Sequence, residues 1–135
     1  MTQEQKELLL KDLCARLPYN VKVEYNGEMY AVLGIAHVRV LLCKPFSSIT
    51  EKDCPLIKNV KPYLFPLSSM TEKQSEEYDK MSELDMEYTI TQIKNDSLIW
   101  TTGLNRFNWL IKNHFDVYDL IPMGLTIDAT NKNIY

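Results

Sequence analysis

Glycine is scarce in this chain and histidine scarcer, and the two shortages exclude several chemistries. The four glycines, Gly27, Gly34, Gly103 and Gly124, stand too far apart to build a phosphate-cradling loop. Two histidines, His37 and His114, and three cysteines without a C-x-x-C spacing leave no zinc signature. There is no G-x-S-x-G nucleophile element, and the acids are too scattered to propose a working carboxylate pair. No apolar run approaches the roughly 18 residues that a membrane span requires. The opening Met1-Thr2-Gln3-Glu4-Gln5 lacks the basic start and apolar middle of a signal peptide, so the cytoplasm is the expected compartment. No catalytic residue, metal ligand or cofactor is expected, and the residues by themselves name no reaction.

What is present describes one ordinary domain. A chain of 135 residues, 45% hydrophobic and 24% charged, can bury a core without disulfides or metals. Cys14, Cys43 and Cys54 cannot all pair within one chain, and the expectation is three reduced thiols, packed mostly as small apolar groups. The net charge of −3 argues weakly against general nucleic-acid binding. Charge is uneven: the seven acids from Glu72 to Glu87, against Lys73 and Lys80, give a local balance of −5. These acids read as the solvated face of a helix.

Thr2 with Gln5 forms a capping box, and Leu9, Leu13 and Leu17 make one apolar side, with Leu8 and Leu10 beside them. A helix over about 3–16 follows, closed before Pro18. Val21 to Tyr25 alternates with period two, Asn26-Gly27 supplies a tight turn, and Glu28 to Leu33 returns as the second strand. Val38 to Cys43 adds a third strand, with Gly34 marking a bulge or turn. Pro45, Pro55, Pro62 and Pro66 argue against regular structure over 44–67. Two overlapping capping boxes, Ser69 to Glu72 and Thr71 to Gln74, open a second helix running to about Leu84, with Tyr78 and Met81 facing inward. Tyr88 to Ile93 and Leu98 to Thr102 read as a second hairpin, Leu104 to Phe115 as a third helix, and Leu125 to Ile127 as a last extended piece. Tyr135 is expected to fray.

Three segments resemble a family of small proteins of unassigned activity, found in gut Bacteroidales genomes and in their phages and prophages. They are Lys61-Pro-Tyr-Leu-Phe-Pro-Leu-Ser-Ser-Met-Thr-Glu72, Asn108-Trp-Leu-Ile-Lys-Asn-His-Phe-Asp116 and Leu120-Ile-Pro-Met-Gly-Leu125, with Thr2 to Lys6 and Lys11 to Tyr19 fitting the same pattern. The chain departs from the family at Phe65, where an arginine is usual, and at Val117-Tyr118-Asp119, where Tyr-Arg-Gly is usual. The resemblance implies no activity, cofactor or catalytic residue. It implies a setting of small cytoplasmic accessory proteins carried by mobile elements.

Candidate sites are few. His114, near Asp116, has the makings of a general base, yet at helical spacing it shares a face with Leu104, Phe107, Leu110 and Ile111 and reads as a core or boundary residue. His37 opens a strand and has no partner legible in the sequence. A cysteine nucleophile, Cys43 or Cys54, needs a histidine beside it. Trp109 is the odd residue. At about 100° per residue it points away from the apolar face, toward Asn105, Arg106, Lys112 and Asn113. Three readings stand: a helix covered on both sides, a protein-binding anchor, or a stacking platform for a nucleobase. Arg106, three residues away, can also pair with Trp109 through a cation–π contact.

The expectation is a single α+β domain over 1–135, with an antiparallel sheet of about five strands, a meander plus a hairpin, and three helices mainly on one face. The expected function is that of a non-enzymatic accessory protein acting through an unknown protein partner or self-association. Trp109, Arg106 and Asn113 are its candidate contact residues. A nucleic-acid-binding regulatory module and a small enzyme are the alternatives. No membrane association is expected.

Overall fold

The computed structural model of the chain describes residues 1–44, 52–81 and 104–135. Helix α1 (Gln3–Arg16) begins as its sequence demands. The Thr2 hydroxyl accepts the Gln5 N–H at 3.1 Å, and the Gln5 side chain accepts the Thr2 N–H at 3.0 Å. It tightens into a 3-10 turn (Leu17–Tyr19) at Pro18, and Asn20, at φ 56°, redirects the chain into the sheet.

The meander expected from the alternating pattern is β1 (Lys22–Tyr25), β2 (Glu28–Ala36) and β3 (Arg39–Cys43). Asn26 and Gly27, at φ 51° and 76°, make the first turn. Between Val32 and Gly34 the register of β2 against β3 slips by one residue. This bulge changes which residues face inward: Tyr30 and Val32 face the core before it, and Ile35 rather than Gly34 stands opposite the buried Val40 after it. β4 (Lys52–Asp53) pairs with β3, β5 (Lys61–Leu64) with β1, and β6 (Ile127–Asp128) runs parallel to β5. The order is β4-β3-β2-β1-β5-β6, five antiparallel strands and a short parallel sixth, so the sheet is mixed and the fold is α+β.

The proline-rich stretch is more regular than its composition suggests. Pro55 and Pro66 lie outside strands, but Pro62 sits within β5 opposite Val23. β6 pairs with β5 only from Tyr63 onward, so the missing N–H of Pro62 falls where β6 makes no pairing with it. Of the two overlapping capping boxes, the second is used. Thr71 and Gln74 exchange backbone and side-chain bonds at 3.0 and 3.2 Å, while the Ser69 hydroxyl donates to the Pro66 carbonyl within a 3-10 turn. Helix α2 is described over 72–81, and Glu72, Glu76, Glu77 and Asp79 are exposed along it, as a solvated acidic face should be. The rest of that helix and the hairpin expected over 88–102 lie outside the described residues.

Helix α3 (Leu104–Lys112) ends three residues before the expected Phe115. His114 takes φ 64°, its N–H donates to the Ile111 carbonyl at 3.1 Å, and the Phe115 N–H reaches back to the Leu110 carbonyl at 2.9 Å. That bond pair is a Schellman stop, with histidine where glycine is usual. Released from the helix, Phe115 bridges Phe65 beyond the end of β5.

The core lies between α1 and one sheet face: Leu9 and Leu13 pack against Val23, Val32, Val40, Leu42 and Leu64. Each such fully buried aliphatic side chain contributes about 1.5–3 kcal/mol. The cysteines depart from expectation, since Cys14 and Cys54 are exposed and only Cys43 is half-buried.

The two meander glycines differ in what they require. Gly27 needs its positive φ, whereas Gly34 does not, and open space surrounds a Cβ at either position. Gly27→Ala should cost about 1 kcal/mol in urea unfolding, and Gly34→Ala should stay within about 0.5 kcal/mol of the parent.

Candidate partner-binding surface

The expected site residues all lie at the α2/α3 edge, but they do different jobs. The Trp109 ring stacks on Phe115 at 5.8 Å and 17° and meets Tyr78 of α2 at 5.9 Å, which leaves it half-buried. This is the apolar contact that accompanies a Schellman stop. The off-stripe direction of Trp109 therefore follows from how α3 ends and from the presence of α2. The Asn113 side-chain amide donates to the Trp109 carbonyl at 2.8 Å and closes the last turn of α3. The Arg106 guanidinium lies 5.8 Å from the Tyr78 ring, so its cation–π contact is with Tyr78.

Arg106 also borders an open recess of about 360 Å³, lined with Tyr78, Phe107, Leu110 and Val117. Phe107 is propped edge-on by Tyr118 at 6.4 Å, and Lys11 of α1 stands 5.3 Å from the other partner of that pair. A cation on a rim of aromatic and aliphatic side chains is suited to bind a planar or apolar group beside a negative one. Trp109 supports this recess from behind.

Behind Trp109 the rings continue without a break. Phe115 meets Phe65 at 6.2 Å, Phe65 meets Tyr135 at 6.0 Å, and Tyr135 stacks on His114 at 3.5 Å and 9°. His114 is buried and its Nδ1 has no hydrogen-bond partner among the described residues. Burial first, then the Arg16 and Lys22 charges, lowers its pKa from 6.5 to about 4. It is therefore a neutral boundary residue near neutrality. Asp116 does not serve it, since both carboxylate oxygens accept backbone N–H groups, from Leu120 and Ile121, at 2.9 Å. His37 is exposed in the β2–β3 turn at φ 56°, not at the start of a strand.

Among the described residues, the most heavily bonded side chain near this surface is one that its sequence context does not single out. Arg16 of α1 is unexposed and forks onto Asp12, with Nε to Oδ2 and Nη2 to Oδ1 both at 2.8 Å. It also donates to the carbonyls of Phe115, just past the end of α3, at 2.5 Å and of Ile111, in its last turn, at 3.4 Å. Burial pushes the Asp12 carboxyl above its ordinary value, and the two Arg16 bonds act against that rise. A signal was present: Leu9, Asp12, Leu13 and Arg16 are the i, i+3, i+4, i+7 set of one helix face. Tyr135, expected to fray, is likewise anchored.

Among the described residues no group of three or more His, Cys, Asp or Glu could hold a metal ion, and no helix is long and apolar enough to cross a membrane. No family model, curated protein or solved structure matches the chain.

The backbone at position 114 can be tested apart from its ring. His114→Gly and His114→Ala lose the stack alike, but only alanine is strained at φ 64°. The glycine variant should be more stable by about 1 kcal/mol in urea unfolding.

Proposed function

We propose that this chain is a non-enzymatic accessory protein that works by protein–protein contact, with the Arg106 recess as its contact surface. The observation that carries the reading is the grouping of Arg106, Tyr78 and Phe107 around one open recess, buttressed by Trp109. Arginine, tyrosine and tryptophan dominate the energetics of protein interfaces because they combine large apolar area with a fixed polar end. Here the tryptophan positions, and the arginine and the recess aromatics make contact. The resemblance to proteins of Bacteroidales and their phages supports a cytoplasmic setting on a mobile element. The partner is another protein or a second copy of this chain.

The test is affinity capture with chemical cross-linking from a Bacteroidales host, comparing the parent with Arg106→Glu and with Trp109→Ala, each shown to be folded by circular dichroism. Reversing the charge at Arg106 should cut partner recovery about tenfold, the effect of losing one strong interface residue. Undiminished recovery in a folded Arg106→Glu variant contradicts the reading. Retardation of DNA or RNA that falls steeply with added salt would move the assignment to nucleic acid.

A further inference from the structure

We propose that segment 130–135 is an acid-released latch: Tyr135 is its bolt, and Lys22, Tyr63, Phe65 and His114 form the catch. The proposal does not depend on the Arg106 recess.

The bolt occupies a place that the sheet leaves open for it. β1 and β5 pair through Val23↔Pro62 and Glu24↔Lys61, so the next antiparallel pair in line is Lys22 with Tyr63. That rung is not closed directly. The Tyr135 hydroxyl stands in it, accepting the Lys22 N–H at 3.0 Å and donating to the Tyr63 carbonyl at 2.9 Å. A side chain thus replaces a ladder bond between two strands. The residue is 41% exposed overall, but the hydroxyl end is enclosed, and burial pushes its pKa up to about 12. The Lys22 ammonium completes the hold, donating to the Ile134 carbonyl at 2.7 Å and lying 5.5 Å from the Tyr135 ring.

The rest of the segment is a solvated arm. Residues 130–133 are exposed, Thr130 is bonded to the neighbouring Asp128, and Asn131 and Asn133, at φ 62° and 53°, turn the chain back toward β1. Among the described residues, the arm between the Asp128 turn and Ile134 makes one backbone bond, from the Lys132 N–H to the Ala129 carbonyl at 3.2 Å. A loosely held arm pinned mainly at Tyr135 can open without disturbing the core.

His114 makes the hold sensitive to acid. Its ring lies flat on Tyr135, and its buried Nδ1 has no hydrogen-bond partner among the described residues. Adding a proton there creates a donor with no partner, beside two cations. The charged groups around the catch are Arg16 and Asp12 of α1, already paired with each other, and Lys22 of β1; Asp116 is committed to backbone N–H groups. Tyr63 faces Glu24 at 3.4 Å, and that carboxylate belongs to the sheet surface. The protonated ring gains water only by leaving the stack, and Tyr135 then loses its support. Because the closed state holds the proton less tightly than the open one, closure is favoured fully above about pH 6.5 and lost progressively toward about pH 4.

Hydrogen exchange of the Lys22 amide reads the latch directly, since its acceptor is the Tyr135 hydroxyl. Corrected for intrinsic rate, its protection should fall at least roughly tenfold between pH 7 and pH 4, while that of Val32, bonded to Val21 in the core, holds. In His114→Phe, which keeps a stacking ring and cannot titrate, Lys22 protection should not fall. No fall in the parent, an equal fall in His114→Phe, or a fall shared by Val32 overturns the proposal. A second measurement does not depend on that variant folding: in Tyr135→Ala, the His114 ring should titrate above about 4, toward 6.5 as far as the remaining Arg16 and Lys22 charges permit, and a titration unmoved from about 4 overturns the latch.

Discussion

A charged fork with no solvent exposure, Arg16 on Asp12, holds this small protein together at the point where two helices meet. Removing two charges from water costs several kcal/mol for each ion, and the cost is tolerable only where every lone pair and proton finds a partner. Here Asp12 takes two guanidinium bonds, and two further N–H groups of Arg16 donate to the Ile111 carbonyl of α3 and to the Phe115 carbonyl just past its end. The Ile111 carbonyl also accepts the His114 N–H of the Schellman turn, the Phe115 carbonyl lies three residues past Lys112, and the negative end of the helix dipole favours a cation there. One side chain of α1 therefore ties together the last turn of α3 and the residue that follows its stop.

The consequences run outward from that point. With its end fixed, α3 stops in a Schellman turn at His114, and Phe115 swings out to pair with Phe65. The Phe65 N–H donates to the His114 carbonyl at 2.8 Å, and the Asp116 N–H donates to the Phe65 carbonyl at the same distance. Phe115 then stands between Trp109 on one side and Phe65 on the other, and rings connect α2, α3, β5 and Tyr135 in one chain of contacts. The Arg106 recess lies at one end of that chain and the Tyr135 slot at the other. Both depend on where α3 is made to stop.

What could be read in the chain was local. The Thr2–Gln5 box, the Asn26-Gly27 turn and the alternating strands each carry their cause within a few residues, and α1 and the meander appear as expected. Elements that rest on distant partners were not legible. Pro62 enters a strand because β6, drawn from the far end of the sequence, pairs only beyond it. The end of α3 was read from periodicity, which does not reveal that Phe115 has a partner in Phe65. Asp12 and Arg16 looked like ordinary helix charges because their need for burial comes from carbonyls some 95 and 99 residues away. Helical spacing turns Trp109 away from the apolar stripe but does not reveal the rings that it meets, Tyr78 and Phe115.

The Arg16–Asp12 fork is open to direct measurement by a double-mutant cycle. Urea unfolding of Arg16→Met, Asp12→Leu and the double variant gives the coupling between the two groups. Each single variant strands a buried charge or a set of carbonyls and should lose about 3–5 kcal/mol, while the double variant should lose clearly less than the two losses together. Single variants within about 1 kcal/mol of the parent, or losses that simply add, would contradict the claim that this pair fixes the end of α3.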